Sequence, residues 1–540
     1  MATHNARKSQ NSEFVHLYDT TLRDGTQRKG LSLSLADKLK LTELIDRFGI
    51  PYIEGGWPGS NPKDLDYFKR VKGLRLEQAK IVAFGSTCRV GADASEDKNL
   101  RALLDAQTPV VTIVGKTSNL HVTKILQTTL DENLRIIYES VKFLKERVEE
   151  VIFDAEHFFD GYLEFPEYSQ KAIAAARDGG ADWIVLCDTN GRSLPETITS
   201  VVAAVKAEVT DRIGIHTHND SELAVANALA AVRAGARHIQ GTINGYGERC
   251  GNANLISIIP ALQLKMGMQC VPPHKLPGLT ELSHTVSEIA NLQPDPYAPY
   301  VGSFAFAHKA GIHVAAVEKL SSSYEHIEPE VVGNARHVVV SELSGRGNIR
   351  MLASGLGVPD GANFDAVLEQ VKELEHRGFQ FENAEGTVEL MLRRSAPGYE
   401  KSFELLDMMV VTSKYKGLAN AEAIVKVSVR GTVFHTAAEG NGPVNALDQA
   451  LRKALVPSYP ELAHVRLADY KVRIVDNDSA TGAIARVCIE ATCREKTWST
   501  VGSSTNIIEA SYQALADSFE LYLLRAKEKQ EKKKLKEGVA

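Results

Sequence analysis

Three short segments of the chain carry residue types that can do chemistry together. The first, DTTLRDGTQ (19–27), sets Arg23 beside Asp24 in a loop with Gly25. The second, HTHND (216–220), is a His-x-His pair. Side chains of a strand alternate faces, so His216 and His218 point the same way and can grip one ion. The third, NGYGERCGNAN (244–254), has glycines that permit a tight loop, and Asn252 or Asn254 offers an amide oxygen. Asp24, His216, His218 and Asn252 form a nitrogen–oxygen donor set without thiolate. Such a set suits a catalytic divalent ion with open positions: Mg2+, Mn2+, Co2+ or Zn2+. An isolated Arg-Asp pair would be a structural salt bridge; its neighbourhood decides.

These segments lie far apart, so regular elements must bring them together. Eight apolar runs alternate with segments of helical period: 14–20, 52–56, 81–85, 110–115, 151–156, 183–189, 213–218 and 238–245. Strands alternating with helices imply right-handed βαβ units and a parallel sheet. Eight units in about 250 residues match a (β/α)8 TIM barrel, with a doubly wound sheet as the alternative. In a closed barrel the first, seventh and eighth strands are consecutive, which would unite the three segments. Polar residues close one strand after another: Asp19 and Thr20, Glu54, Ser86, Lys116, Glu156 and His157, Asp188 and Thr189, and Asn244. A barrel keeps its active site at that end of its strands.

The chain has 540 residues, 44% hydrophobic and 24% charged, which indicates a globular protein of several domains. No apolar run reaches the roughly 18 residues of a membrane span, and the polar start lacks the apolar core of a secretory signal. A net charge of -6 argues against a nucleic-acid protein held by phosphate contacts. Six scattered cysteines without a metal or redox spacing fit reduced thiols in the cytoplasm. The α/β barrel is expected over 14–272, after a flexible arm (1–13), with helical connecting subdomains over 273–395. Residues 396–525 contain a weak repeat, 425–451 resembling 485–515, which indicates a C-terminal α+β module. In each copy, strands and a turn lead to a helix opened by Asn445 or Asn506, and a charged tail (526–540) follows.

DTTLRDGTQ, HTHND and GERCGNAN resemble the signatures of the DRE-type TIM-barrel metallolyases. That family includes 2-isopropylmalate, homocitrate and citramalate synthases and the lyase that cleaves hydroxymethylglutaryl-CoA. FAHKAGIH (306–313) and YEHIEPEVVGN (324–334) resemble the synthases' connecting subdomains, and the repeat is similar to their allosteric dimer domain. IEGGWPGSNPKD (53–64) resembles the citramalate branch. The resemblance implies condensation of acetyl-CoA with a 2-oxo acid, pyruvate in that branch, then thioester hydrolysis. It also implies a homodimer, a place at the entry to isoleucine through 2-oxobutanoate, and isoleucine as feedback inhibitor. The GNGPVN (440–445) and GSSTNI (502–507) turns are the candidate effector positions.

By the same resemblance Asp24, His216, His218 and Asn252 hold the metal, and Arg23 faces the alkoxide that develops. His313 is the base, with Glu156 and Tyr324 as partners; Glu156 alternatively holds substrate or braces Arg23. Thr189 donates to the substrate carboxylate, with Gln27 close behind. Two positions depart from the pattern. Asp154 stands where the branch carries tyrosine, among the substrate contacts, and Tyr324 lies one residue further from His313 than expected. Trp57 is expected to shrink the pocket so that only a small oxo acid fits. The rival readings are an isopropylmalate or homocitrate synthase, a metal-dependent hydrolase, and a non-catalytic amino-acid sensor.

Overall fold

The protein is described by a computed structural model over residues 14–358, 361–415, 418–475, 482–494 and 496–537. The expected arm (1–13) lies outside the described residues. Eight parallel strands close into a barrel in sequence order. They are β1 (His16–Asp19), β2 (Tyr52–Gly56), β3 (Lys80–Ser86), β4 (Val110–Lys116), β5 (Glu150–Glu156), β6 (Trp183–Asp188), β7 (Ile213–Thr217) and β8 (His238–Gly241). β8 closes the ring on β1, with His238 opposite His16 and Gly241 opposite Asp19. All five residues of β2 and of β7 are buried, as befits strands wrapped by helices outside and packed side chains inside.

The first helix shows how local signals set the frame. Ser34 and Asp37 form a reciprocal capping box at the start of Leu35–Phe48, and Gly49 ends it in the left-handed region at φ 104°. Between these caps Leu41, Ile45 and Phe48 recur at helical spacing and are buried. The barrel therefore begins on a helix whose length is written in its ends.

The floor of the barrel is aromatic. His238 lies 5.4 Å from Tyr18, 5.6 Å from Tyr52 and 5.4 Å from Trp183, ring centre to ring centre. Neither of its ring nitrogens has a hydrogen-bond partner among the described residues. Burial, with His16 nearby, pushes its pKa down from 6.5 to about 3. An unfolded histidine takes up a proton as pH falls below about 6.5, and this folded one refuses it. Between pH 6.5 and 4 the unfolded state therefore gains, at about 1.4 kcal/mol per pH unit, or roughly 3 kcal/mol in all. His238→Phe keeps the ring and should remove that part of the acid slope. Thermal unfolding midpoints at pH 7 and pH 4 check it; a midpoint drop equal to wild type would refute it.

Among the described residues, 307–328 and 336–537 form a second compact unit, while 14–306 and 329–335 belong with the barrel. The expected connecting segment 273–395 is therefore divided between the two units rather than standing alone. Its helices Arg346–Leu356, Phe364–His376 and Glu385–Ser395 contribute Ile349, Val367, Val371 and Val388 to a core that also takes in Val501 of the C-terminal repeat. Connector and repeat fold against shared apolar surface, which proline-rich punctuation in the sequence does not reveal.

The repeat is real in three dimensions. Antiparallel strands Glu404–Tyr415, Leu418–Val429 and Thr432–Gly440 lead into the helix Pro443–Leu455. Strands Arg466–Ile474, Ala485–Cys493 and Lys496–Ser504 lead into Ile507–Glu537. Both copies carry the same irregularity in their first strand, between Leu405 and Asp407 and between Leu467 and Asp469. Only one of the two expected helix-opening asparagines caps. Asn506 Oδ1 accepts from the Ile508 amide at 2.9 Å, whereas Asn445 lies inside its helix and accepts from Asn441 at 3.1 Å. The charged tail continues the last helix to Glu537, with Glu528 paired to Arg393; residues 538–540 lie outside the described residues.

Candidate active site

Arg23 is held by a residue that the motif does not contain. Glu54, fully buried on β2, accepts from Tyr18 Oη at 2.5 Å and Thr20 Oγ1 at 2.6 Å, and from Arg23 Nε. The Arg23 guanidinium carbon lies over the Phe84 ring, 3.8 Å from its centre, with Nη1 3.7 Å from Asp24 Oδ2. Burial opposes its charge, but Glu54 and Asp24 outweigh burial and raise its pKa. The brace expected of Glu156 is thus supplied by Glu54. The Glu156 carboxylate pairs instead with Lys116 Nζ, at the ends of β5 and β4. A sequence signal for Glu54 existed: one carboxylate inside an otherwise apolar strand.

Barrel closure brings the donor set together. The carboxylate of Asp24 and the ring nitrogens of His216 and His218 lie within 4.8 Å of one another. His216 Nε2 is 3.4 Å from Asp24 Oδ2 and 3.1 Å from His218 Nε2. Burial would raise the Asp24 pKa, but Arg23, His218 and His216 hold the carboxyl well below the usual range. Burial and the neighbouring His218 push His216 down to about 4, so its ring is neutral near pH 7. Asn252 pairs backbone to backbone with His218, and its buried Oδ1 has no hydrogen-bond partner among the described residues. Gly247 permits this packing: a Cβ there would sit 2.1 Å from Asn252 Nδ2. An ionised carboxylate, a neutral imidazole and an orphaned amide oxygen fit a divalent cation.

The two histidines are held differently. His216 Nδ1 is 2.7 Å from Gln240 Oε1. His218 Nδ1 is 2.8 Å from Arg249 Nη2, which also donates to the Thr189 carbonyl and to Asp220. A guanidinium only donates, so the Arg249 contact favours a bare Nδ1 on His218 and a proton on Nε2, 3.1 Å from His216 Nε2. For His218 Nε2 to act as a ligand, that proton has to move to Nδ1 and Arg249 has to release it.

The other candidates fall in several places. Asp154, anticipated as a substrate contact, is buried and accepts from Gln240 Nε2 at 2.8 Å; burial, with Glu54 nearby, raises its pKa far above the carboxylate range. Thr189 Oγ1 accepts from the His157 amide at 2.9 Å, which leaves its own proton free to donate. Gln27 is exposed at the end of a short 3-10 turn, Gly25–Gln27. Trp57 donates to Asn99 at 2.7 Å and meets Phe84 edge-on at 5.5 Å, so it supports the ring under Arg23. His313 and Tyr324 belong to the second unit, where their rings lie 4.3 Å apart. Buried Glu325 anchors the chain beside Tyr324 by accepting from Arg336 Nε at 2.6 Å and pairing with His308 Nε2 at 3.0 Å.

Residues 14–286 match the HMGL-like family, 300–378 the homocitrate synthase post-HMGL domain-like family, and 382–523 the LeuA allosteric (dimerisation) domain. An (R)-citramalate synthase of Aquifex aeolicus is 50% identical over 523 residues, covering 96% of this chain and 99% of that one. One of Geobacter sulfurreducens is 50% identical over 528 residues, covering 96% and 99%. A probable 2-isopropylmalate synthase of Methanosarcina mazei is 30% identical over 516 residues, covering 94% and 95%. All three align nearly end to end, so shared architecture does not separate them, but the level of identity does. A three-part chain with an Arg23–Glu54 pair beside Asp24, His216 and His218, and half its residues shared with these synthases, belongs to the (R)-citramalate synthase family.

Proposed function

We propose that the chain forms (R)-citramalate from acetyl-CoA and pyruvate. The acetyl methyl carbon bonds to the keto carbon of pyruvate, and water cleaves the thioester to release CoA. The observation that carries this reading is the part-buried Arg23 guanidinium, paired with Glu54, beside the three clustered donors. A divalent cation held by Asp24, His216, His218 and Asn252 would act as a Lewis acid toward a 2-oxo acid. Arg23 spends Nε on Glu54 and keeps its Nη donors for the oxygen that becomes an alkoxide, an oxyanion-hole role. Thr189, whose hydroxyl proton is free, would hold the substrate carboxylate. His313, in ring contact with Tyr324, would take the proton from the acetyl methyl group, as an imidazole suits near neutral pH. Glu156 and Lys116 form a charged pair at the barrel mouth that would order the acetyl donor.

Residues 14–272 are assigned to catalysis, 273–395 to connection and 396–525 to control. The match to a dimerisation domain and the exposed apolar residues Leu406, Met409, Val411, Leu467, Val472 and Ile474 support a homodimer. The GNGPVN turn borders a cavity of about 640 Å3 with Glu439, Asn441, Asn445 and Arg452, the position assigned to isoleucine as feedback inhibitor. No helix among the described residues is long and apolar enough to cross a membrane. A cytoplasmic place at the entry to isoleucine synthesis accords with the reading.

Thiol release from acetyl-CoA tests it, with pyruvate, 2-oxobutanoate, 2-oxoisovalerate and 2-oxoglutarate offered in turn. Release is expected with pyruvate above the others; a preference for 2-oxoisovalerate or 2-oxoglutarate would overturn the assignment. Trp57→Ala should raise kcat/KM for 2-oxobutanoate relative to pyruvate, because the Phe84 wall loses its support. The gain expected from one extra methylene of room is about 10-fold or more. Unchanged selectivity would sink the role of Trp57.

A further inference from the structure

We infer that Asp154 and Gln240 are positioning residues that present His216 to the cation in a single tautomer. The inference rests on the cation site proposed above. Gln240 follows from the register of the barrel: on β8 it lies directly opposite His216 of β7. Its amide bridges two buried groups, with Nε2 2.8 Å from Asp154 Oδ1 and Oε1 2.7 Å from His216 Nδ1. Asp154, Gln240 and His216 are all buried, so water does not compete for these contacts.

The links of this chain run in one direction in the structure. Gln240 Nε2 donates to Asp154 Oδ1, an oxygen that can accept whether or not the carboxyl carries a proton, so the amide turns its NH2 toward β5. The amide oxygen then faces His216, and an amide oxygen only accepts. Nδ1 of His216 must therefore carry the ring proton, which leaves the Nε2 lone pair aimed at Asp24 and His218. The other tautomer would set two lone pairs against each other in a buried site, at the cost of an unmade hydrogen bond. His218 has the opposite arrangement, with a donor, Arg249, on its Nδ1. Of the two histidines, only His216 is ready to ligate as it stands. Asp154, the position that departs from the tyrosine of the resembled branch, acquires a role here: it orients the amide that orients the ligand. Metal-bound histidines commonly need such outer partners, whose loss costs about 10- to 100-fold in metal affinity.

The test uses full-length, metal-free protein labelled with 15N in its histidine rings. Solid-state 15N spectra report the tautomer, and the His216 signals are assigned by their loss in His216→Gln. Wild type should show protonated Nδ1 and bare Nε2 at His216. Gln240→Met should lose that single tautomer and bind Co2+ about 10- to 100-fold more weakly in an optical titration. The double variant Gln240→Glu with Asp154→Asn reverses the inner polarity but still offers His216 an acceptor, so tautomer and affinity should return toward wild type. A His216 tautomer and Co2+ affinity unchanged in Gln240→Met would overturn the inference. So would a double variant no better than Gln240→Met. Failure of wild type to take up Co2+ would instead remove the cation reading, and the tautomer spectra would still decide what Gln240 does.

Discussion

Arg23→Ala should lower kcat for thiol release by about 10²- to 10³-fold, the usual effect of removing one oxyanion donor. The loss falls on kcat more than on the KM for pyruvate, because the alkoxide exists only once the new carbon–carbon bond forms. Arg23→Lys should not rescue it. A lysine offers a point charge and cannot both bind Glu54 through one nitrogen and face the substrate with two others. Glu54→Gln is the informative companion. It leaves the guanidinium buried on Phe84 with its main counter-charge gone, and breaking a buried pair in this way costs about 3–5 kcal/mol. Stability and kcat should therefore fall together in Glu54→Gln. In Arg23→Ala the stranded charge is a carboxylate that can take up a proton, so the stability loss should be smaller. Denaturation midpoints and steady-state rates on both variants check this. A kcat within about threefold of wild type for Arg23→Ala would refute its role.

Asp24→Asn and His218→Ala should each lower activity by at least about 10³-fold and reduce bound divalent metal below one per chain. A Lewis acid contributes several kcal/mol, and about 4 kcal/mol corresponds to that factor. Asp24 is the only carboxylate in the donor set, and its neighbours keep it ionised; an amide in its place removes the charge that balances the ion. Chelation of wild type should give the same loss, reversed by adding Mn2+, Co2+, Mg2+ or Zn2+ in turn. Metal content by elemental analysis and thiol release measured together check it. Wild type that keeps full rate after its metal is stripped would remove the cation from the reaction. His216, pushed down to about 4 by burial and His218, stays neutral and able to ligate well below pH 7.

Contacts across the barrel leave little trace in the local sequence. Glu54 reads in the sequence as a polar strand end without a task, although Arg23 depends on it across 31 residues. Asp154 and Glu156 stand two residues apart on β5, a spacing that puts strand side chains on one face. The structure sends their side chains to different partners, Gln240 and Lys116, at different heights in the barrel. Tyr324 and His313 meet despite the extra residue between them, their ring centres 4.3 Å apart.

What the sequence by itself determined is what local chemistry can write. Alternation of short apolar runs with helical segments specified eight βα units, and cap residues such as Ser34 and Gly49 marked helix ends. The His-x-His spacing specified two imidazoles on one face, and the motifs specified the family. What only the tertiary structure decided is which polar group inside the barrel meets which. Gln240 reaches Asp154 across 86 residues and His216 across 24. The period of a strand tells which face a side chain takes, but not which strand stands opposite or how far the register is staggered. The pairing of β1 with β2 and of β7 with β8 sets both, and with them the partners of Arg23 and His216.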